Sequence, residues 1–162
     1  MELTNINVIR QLFERHGFSF TKSLGQNFLI NPAVCPKIAE MGGANPGVCA
    51  LEIGTGVGVL TKELAMRCEK VIAVEIDTTL KPILEETLAE FDNVEIVFAD
   101  VMETDLAALL AEKAPGMEVV VCANLPYYIT SPVIMRVLES RLPVSAMTVM
   151  VQKEAADRIC AK

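Results

Sequence analysis

The chain predicts a doubly wound α/β sheet. Three observations point to it: short apolar runs alternate with amphipathic segments of helical period, a glycine turn closes the first run, and carboxylates stand at the ends of the next two.

The first element in order is an N-terminal helix from about Asn5 to His16. An irregular basic-to-polar stretch follows, Thr21-Lys22-Ser23-Leu24-Gly25-Gln26-Asn27-Phe28-Leu29. A second helix is expected from near Pro32, since proline suits a first helical turn, to about Met41, where Gly42-Gly43 end it. Apolar runs at Val48–Ile53, Val71–Val74, Val94–Phe98, Val119–Cys122 and Ala146–Val151 read as buried parallel strands. Between them Val59–Arg67, Thr78–Phe91, Leu106–Lys113 and Ser131–Ser140 carry the helical pattern. Thr104-Asp105 resembles the start of the third of these helices, and Pro82 falls near the start of the second, where a missing N–H costs little. With 162 residues there is room for one core and not for two ordinary domains. Residues 1–45 are expected to supply N-terminal helices and a loop, and residues 46–162 the α/β core.

Composition removes several classes. At 52% hydrophobic residues, global disorder is excluded. The longest uncharged run, Val119–Met135, contains Asn124, Pro126, Pro132 and two tyrosines, and falls short of the roughly 20 apolar residues of a membrane span. The start, Met1-Glu2-Leu3-Thr4-Asn5, has neither the basic end nor the apolar core of a secretion signal, so a cytoplasmic protein is expected. Five scattered cysteines without a Cys-x-x-Cys pair read as reduced thiols packed as small hydrophobes. With His16 the only histidine, no metal site is expected. The net charge of −7 is uneven: residues 41–120 carry five basic against fifteen acidic side chains, while both flanks are mildly basic. That pattern neither demands nor forbids an RNA partner.

Gly54, Gly56 and Gly58 follow the first strand and open a helix, where glycine lets the backbone turn sharply and approach a ligand. A dinucleotide fingerprint places its third glycine five residues after the first; here the gap is four. The spacing disfavours NAD and FAD and favours the S-adenosylmethionine version of the fold. No Gly-Lys-Ser/Thr follows, so the turn is not a phosphate loop of the Walker type. Glu75 ends the second strand, 21 residues after Gly54, where a carboxylate can accept both hydrogen bonds of a ribose diol. Asp100 ends the third and suits the adenine amino group of the cofactor.

Asn124-Leu125-Pro126-Tyr127 follow the fourth strand, beside the first in folds of this class. An exocyclic amine on adenine is a weak nucleophile, because its lone pair is delocalised into the ring. The Asn124 side-chain oxygen and a backbone carbonyl near Leu125 are acceptors that can draw such an amine towards a pyramidal state. Pro126 stiffens the turn and adds no competing donor, and Tyr127 can stack on the base for roughly 1–3 kcal/mol. Orientation then carries the chemistry, and no strong base is required. The residues point to methyl transfer onto a nucleobase nitrogen.

Lys22-Ser23-Leu24-Gly25-Gln26-Asn27-Phe28-Leu29, the Glu52–Gly58 turn, Val74-Glu75-Ile76-Asp77, Ala99-Asp100-Val101 and Asn124-Leu125-Pro126-Tyr127-Tyr128-Ile129-Thr130 together resemble the ribosomal RNA adenine dimethyltransferases. Val151-Gln152-Lys153-Glu154 and Ala156-Asp157-Arg158 fit the same family. The likeness is to the bacterial small-subunit (16S) enzyme, which dimethylates two adjacent adenines. It implies that Gln26, Asn27 and Leu29 close over S-adenosylmethionine, and that Gly54 and Gly56 approach its methionine part. It places Glu75, with Ile76 after it, at the ribose, Asp100 and Val101 at the adenine, and Asn124 between cofactor and amine with Tyr127 on the target base. The implied partner is small-subunit ribosomal RNA or a pre-30S particle.

Members of the family continue through two more strands and a small helical RNA-binding domain, so a chain ending at Lys162 is expected to be truncated after its fifth strand. That would leave strand 146–151 as an open edge, suited to self-association, and leave the fragment poorly active. Two other readings compete. A large-subunit ribosomal RNA adenine methyltransferase conferring antibiotic resistance shares the glycine turn and a similar Asn-x-Pro-aromatic motif, although the Lys22-Ser23-Leu24-Gly25 lead-in and Tyr127-Tyr128 favour the small-subunit enzyme. A non-catalytic ribosome-assembly binding module would have no use for an intact Asn124 and Tyr127.

Overall fold

Five strands, β1 (Val48–Ile53), β2 (Lys70–Glu75), β3 (Val94–Phe98), β4 (Glu118–Asn124) and β5 (Val144–Met150), form one sheet in the order β3-β2-β1-β4-β5, every pair parallel. This is a computed structural model, which describes residues 1–19, 31–125 and 127–161, without the side chains of Tyr127 and Tyr128. The chain lays β1, β2 and β3 outward in one direction, then returns to the far side of β1 for β4 and β5. Direction therefore reverses between β1 and β4, and crevices at such reversals hold ligands at the carboxyl ends of strands. Register aligns those ends: Ile53 pairs with Val74 on one side and with Ala123 on the other. Gly54, Glu75 and Asn124 are thereby set side by side.

Both faces of the sheet are covered, which explains why β1 is buried at all six positions and reads as a continuous apolar run. On one face α5 (Leu106–Lys113) and α6 (Tyr127–Glu139) set Leu106, Leu110, Val133 and Val137 against Leu51, Ile53, Ile72 and Val121. On the other α2 (Val34–Met41) and α3 (Val59–Arg67) set Ile38, Ala39, Leu60 and Leu64 against Val48, Ala50, Val71 and Val120. A further helix, α1 (Ile6–Arg15), is too short to be stable alone. Ile9, Leu12 and Phe13 anchor it on Val57 and on Ile83 of α4 (Lys81–Thr87). Arg15 and His16 both bond Glu86. Burial of each of those apolar side chains is worth about 1.5–3 kcal/mol, so packing rather than propensity fixes the helix.

The expected elements are present: β1, β3, α3 and α5 have the expected bounds, and the others have shifted ends. α2 starts at Val34, because Pro32 sits in a turn: Asn31 Oδ1 accepts the Ala33 N–H at 3.0 Å and the Asn31 carbonyl accepts that of Val34 at 3.3 Å. The expected helix Thr78–Phe91 is a 3₁₀ turn, Thr78–Leu80, capped by Asp77, followed by α4. α6 begins four residues ahead of Ser131 and carries Pro132 inside it, so the proline removes one helical hydrogen bond rather than marking the start. A last helix, α7 (Lys153–Ile159), was not anticipated; it buries no residue, so it offers no apolar stripe to read. Among the described residues no helix is long and apolar enough to cross a membrane.

Candidate functional site

The glycine turn is held by left-handed backbone. Gly54, Gly56 and Gly58 have φ of 77°, 53° and 96°, and a Cβ on Gly58 would lie 3.2 Å from Thr87 Oγ1 and 3.3 Å from Leu88 Cδ2. A side chain at Gly58 would be strained by its backbone and crowded by those neighbours. The turn is also braced from β2. Glu75 Oε1 accepts the Thr55 N–H at 2.9 Å, the Thr55 hydroxyl at 3.0 Å and the Gly56 N–H at 3.2 Å, while Oε2 accepts the Asp77 N–H at 3.0 Å. Glu75 is thus a structural clamp whatever it does for a ligand.

These residues border a cavity of about 520 Å³ at the switch point. Gly54, Thr55 and Gly56 line it from β1's turn; Glu75, Ile76 and Asp77 from β2; Asp100, Val101 and Met102 from beyond β3; and Asn124 and Leu125 from β4. Gly54, Gly56, Glu75, Ile76, Asp100, Val101, Asn124 and Leu125, all expected site residues, are therefore brought together there. Asp100 stands two residues past the end of β3 rather than on it, and its Oδ1 accepts the Met102 N–H at 2.9 Å. Ile76 is 66% exposed, an apolar surface at the cavity margin. Asn124 is the last residue of β4 and Tyr127 the first of α6, so the tetrapeptide is a strand-to-helix turn. Gln26, Asn27, Leu29 and Pro126, and the side chain of Tyr127, lie outside the described residues.

Sequence reasoning passed over other lining residues: Cys35, Ile129, Pro132, Val133 and above all Glu52. Glu52 is fully buried on β1. Burial pushes its carboxyl up to about 8, opposed by a hydrogen bond from Thr61 and reinforced by the charge of Glu75. The signal was available, since an acid inside an otherwise apolar parallel strand needs a reason. Burial likewise pushes the thiols of Cys35 and Cys122 up to about 12 and that of Cys49 to about 11. They behave as packed hydrophobes and not as nucleophiles.

The sequence model of the family described as "Ribosomal RNA adenine dimethylase" matches residues 17–162. The chain belongs to this family. Relatives named ribosomal RNA small subunit methyltransferase A include that of Geobacillus kaustophilus, 51% identical over 154 residues, which are 94% of this chain and 53% of the relative. That of Streptococcus gordonii is 47% identical over 163 residues, covering 100% of this chain and 56% of the relative. This family member thus spans about half the length of the curated relatives it matches. Among solved structures, a dimethyladenosine transferase from Plasmodium falciparum is similar with a TM-score of 0.66 at 30% identity, over 82% of this chain and 46% of that one. The 23S rRNA methyltransferase ErmE is similar with a TM-score of 0.67 at 32% identity, over 80% and 50%.

Proposed function

We propose that this chain is the cofactor-binding part of an enzyme that dimethylates the exocyclic amines of adjacent adenines in small-subunit ribosomal RNA, with S-adenosylmethionine as donor. The observation that carries the reading is the convergence of Gly54, Glu75 and Asn124 on one cavity through strand register, in a chain of this family. The cavity is of a size that suits a nucleoside cofactor. Its glycine turn admits close backbone approach, and its buried Glu52 leaves one carboxyl oxygen without a hydrogen-bond partner among the described residues.

S-adenosylmethionine supplies an electrophilic methyl group on a sulfonium sulfur. The residues of the chain do the rest. Gly54 and Gly56 let the backbone pass close to the amino-acid end. Glu75 Oε2, bonded to one backbone N–H, keeps acceptor capacity for a ribose hydroxyl. Asp100, with Ile76 and Val101 beside it, takes the adenine, and Gln26, Asn27 and Leu29 cover the ligand. Asn124 and the Leu125 carbonyl accept hydrogen bonds from the target amine, Pro126 stiffens their turn, and Tyr127 stacks on the target base. The enzyme acts in the cytoplasm on ribosomal RNA or a pre-30S particle. β5, at the edge of the sheet, is open to pairing with another copy when this chain stands alone.

A second reading is favoured by one observation, the equal likeness to a 23S rRNA methyltransferase. Incubating full-length protein with each ribosomal subunit and mapping methylated adenines separates the two. Small-subunit dimethylation lost in Asn124→Ala is the expected result; modification of large-subunit RNA alone overturns the reading. Unchanged cellular function of Asn124→Ala would instead mark a non-catalytic binding module.

A further inference from the structure

β3 stands at the edge of the sheet opposite β5 and pairs on one side only, with β2. Its five residues are all half-buried, whereas β1 is buried throughout. The inner ladder fixes which backbone groups are left over. The Asn93 carbonyl accepts the Val71 N–H at 2.8 Å, and the Ala99 N–H donates to the Glu75 carbonyl at 3.0 Å, so the odd-numbered residues bond inwards to β2. Alternation along the strand then turns the N–H and C=O groups of Val94, Ile96 and Phe98 outwards. Among the described residues they form no backbone hydrogen bond to another element. The side chains of the same three residues share one face. With Leu84, Leu88 and Phe91 they border a groove of about 270 Å³ that shares no residue with the switch-point cavity. Edge strands are commonly guarded by proline, lysine or a bulge. β3 has neither proline nor lysine and pairs in unbroken register, and its one charged residue, Glu95, is engaged by Lys70 and Lys113.

We propose that this edge docks an extended cationic polypeptide, which adds as a sixth strand beside β3 and sets apolar side chains into the groove. Outward backbone groups at alternate residues, with an apolar floor beside them, are what an added strand uses. A compact ligand would fill the floor and leave that row of backbone groups unmet. Charge selects the kind of polypeptide. Residues 81–98 carry one basic side chain, Lys81, against five acidic ones. Glu86, Glu90 and Glu95 are matched by cations of this chain. Glu85, which lines the groove, and Asp92, next in sequence to Phe91, have no ion pair among the described residues. Such a rim repels RNA, and a second copy docking edge to edge would bring the same acids against each other. A strand that alternates apolar and basic residues satisfies groove and rim together. The proposal stands independently of the cofactor reading.

The test uses this chain and an octapeptide of alternating lysine and valine, compared with an octapeptide of alternating glutamate and valine and with a short single-stranded RNA. Amide hydrogen exchange read by NMR reports the geometry. In the free chain the Val94, Ile96 and Phe98 amides are expected to exchange faster than those of Glu95 and Val97. The lysine peptide should slow those three by about tenfold and leave Glu95 and Val97 within about twofold. The glutamate peptide and the RNA should leave all five unchanged. Changing Glu85→Lys and Asp92→Lys together, both exposed positions, should weaken the lysine peptide about tenfold. The comparison of the three probes on the unaltered chain needs no variant to fold. Absence of slowing by the lysine peptide, equal slowing by the glutamate peptide or the RNA, or full affinity in the folded double variant overturns the proposal. Slowing of the same three amides as the chain alone is concentrated assigns the edge to a second copy and overturns it too.

Discussion

Arg136 Nη2 donates to the Thr104 carbonyl at 2.8 Å, tying the helix that begins at the tetrapeptide to the loop that carries Asp100. Thr104 Oγ1 closes the same loop by donating to the Asp100 carbonyl at 2.6 Å. Two walls of the cavity are therefore coupled through one side chain. Arg136→Met, which also removes a buried Nε with no hydrogen-bond partner among the described residues, should change stability by no more than about 1 kcal/mol. It should weaken S-adenosyl ligand binding about three- to tenfold, because the loop loses its tether. Calorimetry and a thermal melt on the same variant check both halves; unaltered affinity would show that the loop holds itself.

Glu75 braces the glycine turn, and the proposed ribose contact can be tested apart from that bracing. Glu75→Ala leaves the Thr55, Gly56 and Asp77 N–H groups without their acceptor, and should cost about 2–4 kcal/mol of folding stability along with ligand binding. Loss of binding in that variant cannot by itself report a ribose contact. A 2′-deoxyribose analogue of the ligand, titrated against the unaltered chain, isolates it: affinity should fall about tenfold. Equal affinity for both ligands would confine Glu75 to bracing the turn.

The buried Glu52 also predicts a pH dependence of stability. Its folded pKa is raised to about 8 from 4.5. Below 4.5 the acid is protonated in both states and contributes nothing. As pH rises from there, the unfolded chain ionises while the folded chain holds its proton, so stability falls until about pH 8 and is level beyond. The full effect is on the order of 4 kcal/mol. Glu52→Gln should melt higher than the unaltered chain near pH 8, with the gap closing towards pH 4.5; parallel curves would contradict it.

Gly42, at the end of α2, approaches β4 closely. A Cβ there would stand 2.8 Å from Cys122 Sγ and 2.9 Å from the Ile38 carbonyl. Gly42→Ala should destabilise the chain by about 1–3 kcal/mol, read as a lower midpoint in denaturant with unchanged slope.

Thiol chemistry gives an inexpensive check of the core. Cys160 is exposed and Cys35, Cys49, Cys68 and Cys122 are buried. A disulfide reagent should label one thiol quickly in the folded chain and the other four only on unfolding. Rapid labelling of two or more would mean that the helices do not cover the sheet as described.

Most of the sheet was legible because buried parallel strands are written as unbroken apolar runs, and β1 and β3 were read to their final residues. Helix ends were less legible. The start of α6 follows the turn from β4 and lies four residues ahead of the expected start at Ser131. Glu75 could be placed at a strand end from spacing alone, since register in a parallel sheet carries such ends to one edge, whereas Asp100 falls two residues past its strand. Glu52 was passed over although an acid inside an apolar strand was a signal; that one of its oxygens has no partner among the described residues is visible only in three dimensions.

The reversal between β1 and β4 also bears on the order of assembly. A nascent chain that has formed β1, β2 and β3 already owns the glycine turn and Glu75, yet one wall of the pocket is missing until β4 inserts beside β1. On the cofactor reading proposed above, recognition of a nucleoside ligand waits for β4. A ligand that binds only the completed arrangement would act as a latch on the join between the two halves of the sheet.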